Sequence, residues 1–169
     1  MEFYHPRVSE AQQILAALAL PGPLTTKLAG LTLLALAGVG PDTPWVQATN
    51  ERKGMARGIR SFMRSVYGWA DASTERTFLL MRDQVLLPLV AAGLVLRNPD
   101  NPALCPTSPL LHFALTADLL PVLRAHGTPD WATAVSAFRQ GWEASHKRKA
   151  QEALPAGLSS SASIRRSRM

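Results

Sequence analysis

Apolar residues recur at spacings of three and four in six stretches of the chain, a period typical of amphipathic helices. These stretches lie at about 9–20, 25–37, 52–67, 73–92, 118–126 and 130–143. Ser9, with Gln12 three residues further on, forms a capping box for the first stretch. Ser73 or Thr74 caps the fourth, and Asp118 caps the fifth. The pattern therefore predicts a mainly α protein.

The second and third stretches have different patterns. Residues 25–37 are apolar nearly all round, which predicts a buried, central helix. Residues 52–67 are two-faced, with apolar side chains on one side and cations at i, i+4, i+7 and i+11 on the other. We call these cations the basic stripe: Lys53, Arg57, Arg60 and Arg64. Such a row predicts contacts with phosphates, or otherwise a solvated helix face.

Two short apolar runs after the fourth stretch predict β-strands, at 94–97 and 112–116. A proline-rich loop at 98–109 lies between them. A two-stranded hairpin directly after a helix has the form of a wing. Pro88 lies inside the preceding stretch, where we expect it to kink the helix.

Length and charge suggest one folded domain at 9–146 and a basic tail at 147–169 that is disordered from about Leu154. The tail carries six basic residues against one acid, Glu152, out of a net charge of +6 for the chain. A single cysteine, Cys105, is typical of a reducing compartment. The start lacks a secretory signal, and the most apolar window, 28–39, is too short to span a bilayer. We therefore expect a cytoplasmic protein without a membrane partner.

Residues for catalysis are not grouped in the sequence. The four histidines have no metal-ligand spacing, and no glycine-rich phosphate loop is present. The acidic residues are scattered over helix starts and loops, so they do not form the carboxylate cluster that a metal-dependent nuclease needs. We expect no catalytic residue, no metal and no cofactor, and hence no enzyme activity from the chain on its own.

A series of short segments carries a family resemblance. In chain order they are EAQQILAAL (10–18), LTLLAL (31–36), TPW (43–45), Arg82 with Gln84, AGLVL (92–96), NPD (98–100) with Pro102, Ser108-Pro109, Leu123-Arg124 and GTPDW (127–131). In order and spacing, the series resembles the N-terminal helix-turn-helix domain of the BsuBI/PstI type II restriction endonucleases. It covers about four-fifths of the chain.

The resemblance implies a winged helix-turn-helix with a two-stranded β-hairpin wing and flanking helices. It also implies double-stranded DNA as the partner, in the context of restriction–modification. The helix at about 73–92 becomes the recognition helix, and its candidate DNA contacts are Ser73, Thr74, Arg76, Arg82 and Gln84. This chain has Arg82-Asp83 where the family carries two adjacent basic residues, so Asp83 could instead pair with Arg82. The magnesium-dependent catalytic domain that follows in the family is expected to be missing here.

Four functions agree with these features. The first is a DNA-binding module without the catalytic domain. The second is a winged-helix transcriptional regulator. The third is an interaction module whose recognition helix packs against a separate catalytic chain or a second copy, through Leu79, Leu86 and Leu87. The fourth is a truncated, inactive gene fragment.

Overall fold

The computed structural model of the chain describes residues 5–18, 22–70, 74–97 and 112–153, apart from the side chains of 22, 23, 56, 57 and 145–153. Two compact units divide the chain, unit 1 from Met1 to Val135 and unit 2 from Ser136 to Met169. The helices are α1 (Pro6–Ala17), α2 (Lys27–Ala37), α3 (Ser61–Ser65), α4 (Glu75–Met81), α5 (Leu87–Ala91), α6 (Leu120–Ala125) and α7 (Trp131–Ala153). The strands are β1 (Lys53–Gly54), β2 (Val95–Arg97) and β3 (His112–Leu115). The described part is therefore mainly helical, as the sequence predicts.

Helix α2 forms the centre of unit 1. Every residue from Ala29 to Ala37 is buried, in agreement with the apolar pattern of this stretch. Helix α1 packs closely against α2 at Gly30, where an added Cβ would lie 3.0 Å from the Val8 carbonyl oxygen. Gly38 ends α2 with φ +71°, a left-handed conformation that glycine adopts without strain. The central position of this helix is confirmed.

Helix α1 begins earlier than the capping box predicts. His5 is the N-cap, its Nδ1 accepting a hydrogen bond from the Arg7 N–H at 3.1 Å, and Pro6 occupies the first turn. The predicted box of Ser9 and Gln12 is therefore wrong. Gln12 instead donates its side-chain N–H to the Thr25 carbonyl at 2.9 Å, which fixes α1 to the segment before α2.

The predicted third helix is divided in the structure. Lys53 and Gly54 form β1, residues Met55–Arg60 form a π-helical segment, and only Ser61–Ser65 are α-helical. β1 pairs with β3, so the residues at the predicted helix start are held in a sheet. Gly58 permits this, because a Cβ there would lie only 3.1 Å from the Lys53 Cα. A continuous helix at 52–67 is therefore wrong.

The sheet contains the two predicted strands and one more. Its order is β1-β3-β2, and both pairings are antiparallel. Val95 lies opposite Leu115 and Arg97 opposite Phe113, which confirms the predicted hairpin. The residues of the wing loop at 98–111 lie outside the described ones. Phe113 is fully buried, so β3 joins the sheet to the helical core.

The last two helices differ in detail from the prediction. Asp118 lies in a 3₁₀ turn, Ala117–Leu119, so it is not the cap of α6, and Pro121 occupies the first turn of that helix. Helix α7 continues through Ala153 and so includes the first residues of the segment assigned to the tail. Residues 154–169 lie outside the described part.

Candidate nucleic-acid interface

The predicted recognition helix is built from three segments. Thr74 caps α4, its Oγ1 accepting a hydrogen bond from the Thr77 N–H at 3.1 Å. A π-helical segment, Arg82–Leu86, then connects α4 to α5. In this segment the Leu87 N–H donates to the Arg82 carbonyl, five residues back. Pro88 follows directly, and the wider turn accommodates a ring that lacks an N–H and would clash with the carbonyl of the preceding turn. We keep the name recognition helix for Glu75–Ala91, the segment to which the family resemblance assigns that role.

One side of the recognition helix is core and the other is exposed. The buried residues are Thr77, Met81, Val85, Leu86 and Leu89. The exposed residues within it include Glu75, Arg76, Leu79, Asp83 and Gln84. Leu86 was predicted to face away from the core, and this is wrong, because Leu86 lies within the π-helical segment, whose angular spacing differs from that of an α-helix.

The exposed side contains an open depression of about 480 Å³. It is lined by Glu75, Arg76, Leu79, Leu80, Asp83 and Gln84. The structure thus brings two predicted contact residues, Arg76 and Gln84, to one surface. Leu80 was not among the candidates, although its spacing of four from both Arg76 and Gln84 could have indicated it.

Arg82 and Asp83 form an ion pair beside this depression. Arg82 Nε donates to Asp83 Oδ1 at 2.8 Å, and Arg82 Nη2 donates to Asp83 Oδ2 at 3.4 Å. The hydrogen bond from Arg82 lowers the pKa of Asp83, and the same bond raises the pKa of Arg82. The alternative that Asp83 pairs with Arg82 is therefore observed.

The recognition helix is electrically balanced. Arg76 and Arg82 supply two positive charges, and Glu75 and Asp83 supply two negative ones. A surface of this kind does not attract phosphates strongly, but it offers directional donors and acceptors. Ser73, another candidate, lies outside the described residues, and Thr74 is used in the helix cap.

The members of the basic stripe do not form one helix face. Lys53 lies in β1, where its Nζ is 3.8 Å from Glu51 Oε1 and 3.9 Å from the position of a Cβ on Gly38. This places a cation at the C-terminal end of α2, which the helix dipole favours. The Arg60 guanidinium stacks over the Phe78 ring, 5.1 Å from its centroid. Arg64 is exposed on α3, and the side chain of Arg57 lies outside the described part.

Several residues of the short segments that carry the family resemblance hold the fold together. Glu10 Oε1 accepts hydrogen bonds from Arg7 Nη1 at 2.6 Å and from Trp45 Nε1 at 2.8 Å. Trp45 also meets His126 edge to face, and His126 meets Trp131 in the same way. Arg124 donates from Nε to the Ala48 carbonyl at 3.0 Å. These interactions fix α1 and α6 to the segment at 45–48.

Burial and hydrogen bonding both affect the pKa values in this cluster. Burial alone would raise the pKa of Glu10, but the hydrogen bonds from Trp45 and Arg7 outweigh it and lower the pKa below 4.5. Burial lowers the pKa of His126 below its usual value, because the charged form loses solvation. Both shifts favour a charged Glu10 and a neutral His126 in the folded protein.

The described residues contain neither a metal-ligand cluster nor a membrane-spanning helix. Among them, no three His, Cys, Asp or Glu side chains are grouped so that they could hold a metal ion. Within the same ranges, no helix has both the length and the apolar character to cross a bilayer.

Comparisons with known proteins agree with this geometry. Residues 5–147 match the sequence family described as the BsuBI/PstI restriction endonuclease helix-turn-helix domain. Type II restriction enzyme BsuBI of Bacillus subtilis is 29% identical over 152 residues, which are 89% of this chain and 47% of BsuBI. The solved structure of SdaI restriction endonuclease superposes with a TM-score of 0.72 at 23% identity, over 79% of this chain and 41% of SdaI.

These matches confirm the predicted family resemblance and the predicted fold. The described part is mainly helical with a small antiparallel sheet, and the structural likeness extends over 79% of the chain. The chain spans less than half the length of either relative.

Proposed function

This chain belongs to the BsuBI/PstI restriction endonuclease helix-turn-helix domain family, and on that basis we propose that unit 1 binds double-stranded DNA. The exposed side of the recognition helix enters the major groove, which is wide enough for an α-helix. The relatives are named as restriction enzymes, so the proposed role is target recognition in restriction–modification. The proposal assigns this chain no catalytic residue.

One observation supports this proposal most directly. The recognition helix has a core side fixed by Met81, Val85 and Leu89, and an opposite side with hydrogen-bonding side chains in reach of solvent. A rigid helix with side chains of this kind is what base-edge contacts require. Arg76 and Gln84 both line the depression on this side.

The balanced charge of the recognition helix indicates which contacts it makes. Phosphate contacts give affinity and salt dependence, whereas base contacts give specificity. We assign base contacts to Arg76, Arg82 and Gln84. We assign phosphate contacts to Arg57, Arg64 and the basic residues at 147–169. Lys53 and Arg60 have the protein contacts described above, so we give them a smaller part.

The alternative functions receive unequal support. A transcriptional regulator would use the same DNA-binding surface, and an inactive fragment could retain it. The interaction module relied on three apolar side chains of the recognition helix, but Leu86 is fully buried. Leu79, which is 39% exposed, is then the principal apolar residue for such a contact. DNA binding therefore uses more of the exposed surface.

A binding experiment on the 169-residue chain tests the proposal. The tail is first neutralised by changing its six basic residues to Gln, since its charge could bind any polyanion: Lys147, Arg148, Lys149, Arg165, Arg166 and Arg168. In this background, Arg76→Ala with Gln84→Ala should weaken binding to a preferred duplex by about tenfold or more.

The matched control is Arg139→Ala with Gln140→Ala, which removes the same residue types from an exposed part of α7. It should change the affinity little. The proposal is wrong if the tail-neutralised chain binds no duplex at about 50 mM salt, or if both double variants weaken binding equally.

A further inference from the structure

The Arg82–Asp83 pair has a geometry that an ordinary surface ion pair does not need. Two N–H donors of one guanidinium edge meet the two carboxylate oxygens, at 2.8 and 3.4 Å. We propose that Asp83 is a positioning residue that holds the Arg82 guanidinium in place to recognise a guanine edge. This inference rests on the proposed DNA-binding function and adds the specificity determinant to it.

The first argument concerns the donors that remain. A guanidinium has five N–H groups in a planar fork, and the pair uses one from Nε and one from Nη2. The remaining Nη2 hydrogen and one Nη1 hydrogen lie parallel on the other edge and point away from Asp83. Two parallel donors match O6 and N7 of guanine in the major groove. The observed pairing therefore leaves the edge that a guanine contact uses.

The second argument concerns conformational freedom. An unpaired arginine loses much side-chain entropy when it binds. Asp83 restricts Arg82 before DNA arrives, and the backbone beneath both is fixed by the buried Val85 and Leu86. The side chain of Arg82 is only 20% exposed, whereas that of Asp83 is 53% exposed on the surface that lines the depression. The pair therefore holds the guanidinium next to the depression that Asp83 lines.

The third argument concerns charge. The carboxylate neutralises Arg82, so this position contributes little to phosphate attraction on any sequence. A base other than guanine that offers no matching acceptors leaves the free N–H donors of Arg82 desolvated and without hydrogen bonds. The free-energy cost of these unsatisfied donors disfavours binding to that base. An exposed ion pair between neighbours contributes little to folding. The pair therefore affects base preference more than affinity or stability.

The test compares the base preferences of variants of the 169-residue chain on a pool of randomised duplexes, read by sequencing the bound fraction. The wild-type chain should prefer guanine at one position. Arg82→Ala should reduce that preference by about 10- to 100-fold. Asp83→Ala should reduce it in the same direction while strengthening binding to random DNA and increasing the salt slope by about one. Asp83→Asn, which keeps one acceptor oxygen, should retain part of the preference.

Glu143→Ala is the matched control, because it removes an exposed carboxylate that pairs with another arginine, Arg139, outside the recognition helix. It should leave the preference at that position intact. All variants should melt within a degree or two of the wild type. The inference is overturned if Asp83→Ala keeps the full guanine preference, or if Glu143→Ala loses as much. A wild-type chain without duplex affinity would overturn the proposed function and this inference together, whereas normal binding with an unchanged Asp83→Ala profile overturns the inference alone.

Discussion

Arginine and lysine side chains at predicted DNA contacts have partners within the protein at several positions. The Lys53 ammonium lies near the C-terminal end of α2, the Arg60 guanidinium lies over the Phe78 ring, and Arg82 pairs with Asp83. In each case the partner is set by the tertiary structure or by a rotamer, neither of which the spacing of cations reveals. The sequence shows where charge is available, but the structure decides whether it serves packing or recognition.

Arg60 gives a direct test of this distinction. Arg60→Gln should lower the free energy of unfolding by about 0.5–2 kcal/mol, since a partly buried cation leaves the face of an aromatic ring. Urea unfolding at neutral pH measures the decrease. The exposed neighbour variant Arg64→Gln should cost less than Arg60→Gln.

A double-mutant cycle with Phe78→Leu isolates the interaction between the two side chains. The two changes should be non-additive by about 0.5–1 kcal/mol. Additive effects would show that Arg60 stabilises the fold in another way, and an effect no greater than that of Arg64→Gln would return Arg60 to the candidate phosphate contacts.

At the scale of elements, the sequence predicts those helices and strands whose hydrophobic pattern lies entirely within their own residues. The uniform apolar run of α2 and the strands β2 and β3 were predicted nearly to the residue. The stretch at 52–67 was not, because β1 depends on pairing with residues about sixty positions later in the chain. The π-helical segments also escape prediction, since apolar spacings of three and four fit an α-helix equally well. The segment at Arg82–Leu86 altered the site, since Leu86 within it is buried.

Glu10 accepts hydrogen bonds from Arg7 and Trp45, so we expect the packing of α1 on the segment at 45–48 to depend on pH. Glu10→Gln should lower the free energy of unfolding at pH 7 by about 1–2 kcal/mol, because it removes a charge-assisted hydrogen bond. The folded-state pKa of Glu10 lies below 4.5, so the unfolded chain binds its proton more readily. The stabilisation is therefore present above pH 4.5 and is lost as the pH falls through the folded-state value.

Chemical unfolding of both proteins between pH 7 and pH 3 checks this expectation, with the exposed Asp42→Asn as control. The difference between wild type and Glu10→Gln should shrink below pH 4.5. The lowered pKa of His126 acts in the same direction, because the stabilisation that it gives is lost as the pH falls below 6.5. Both proteins contain His126, so the difference between their free energies of unfolding removes its effect. A difference that grows on acidification would contradict the assigned sign.

At the scale of the whole molecule, most of the net positive charge lies at residues 147–169 and not on the recognition helix. The chain has a net charge of +6, and residues 147–169 supply +5 of it. The recognition helix in unit 1 has equal numbers of acidic and basic residues. Under the proposed function, non-specific attraction and base recognition therefore belong to different parts of the chain.

This division makes a prediction about salt. Neutralising the six basic residues at 147–169 should reduce the slope of log K against log salt by about 0.9 for each phosphate that the tail no longer neutralises, and should weaken binding to all duplexes alike. The order of preferred sequences should stay the same, since the proposed base-edge contacts belong to the recognition helix. Titrations between about 50 and 200 mM salt on one preferred and one scrambled duplex measure both quantities.

Arg76→Ala with Gln84→Ala is the complementary variant, for which the preference should fall while the slope changes by no more than about one. If neutralising the tail abolished the preference and left the slope unchanged, recognition would depend on residues 147–169, and the assignment of base contacts to unit 1 would be wrong.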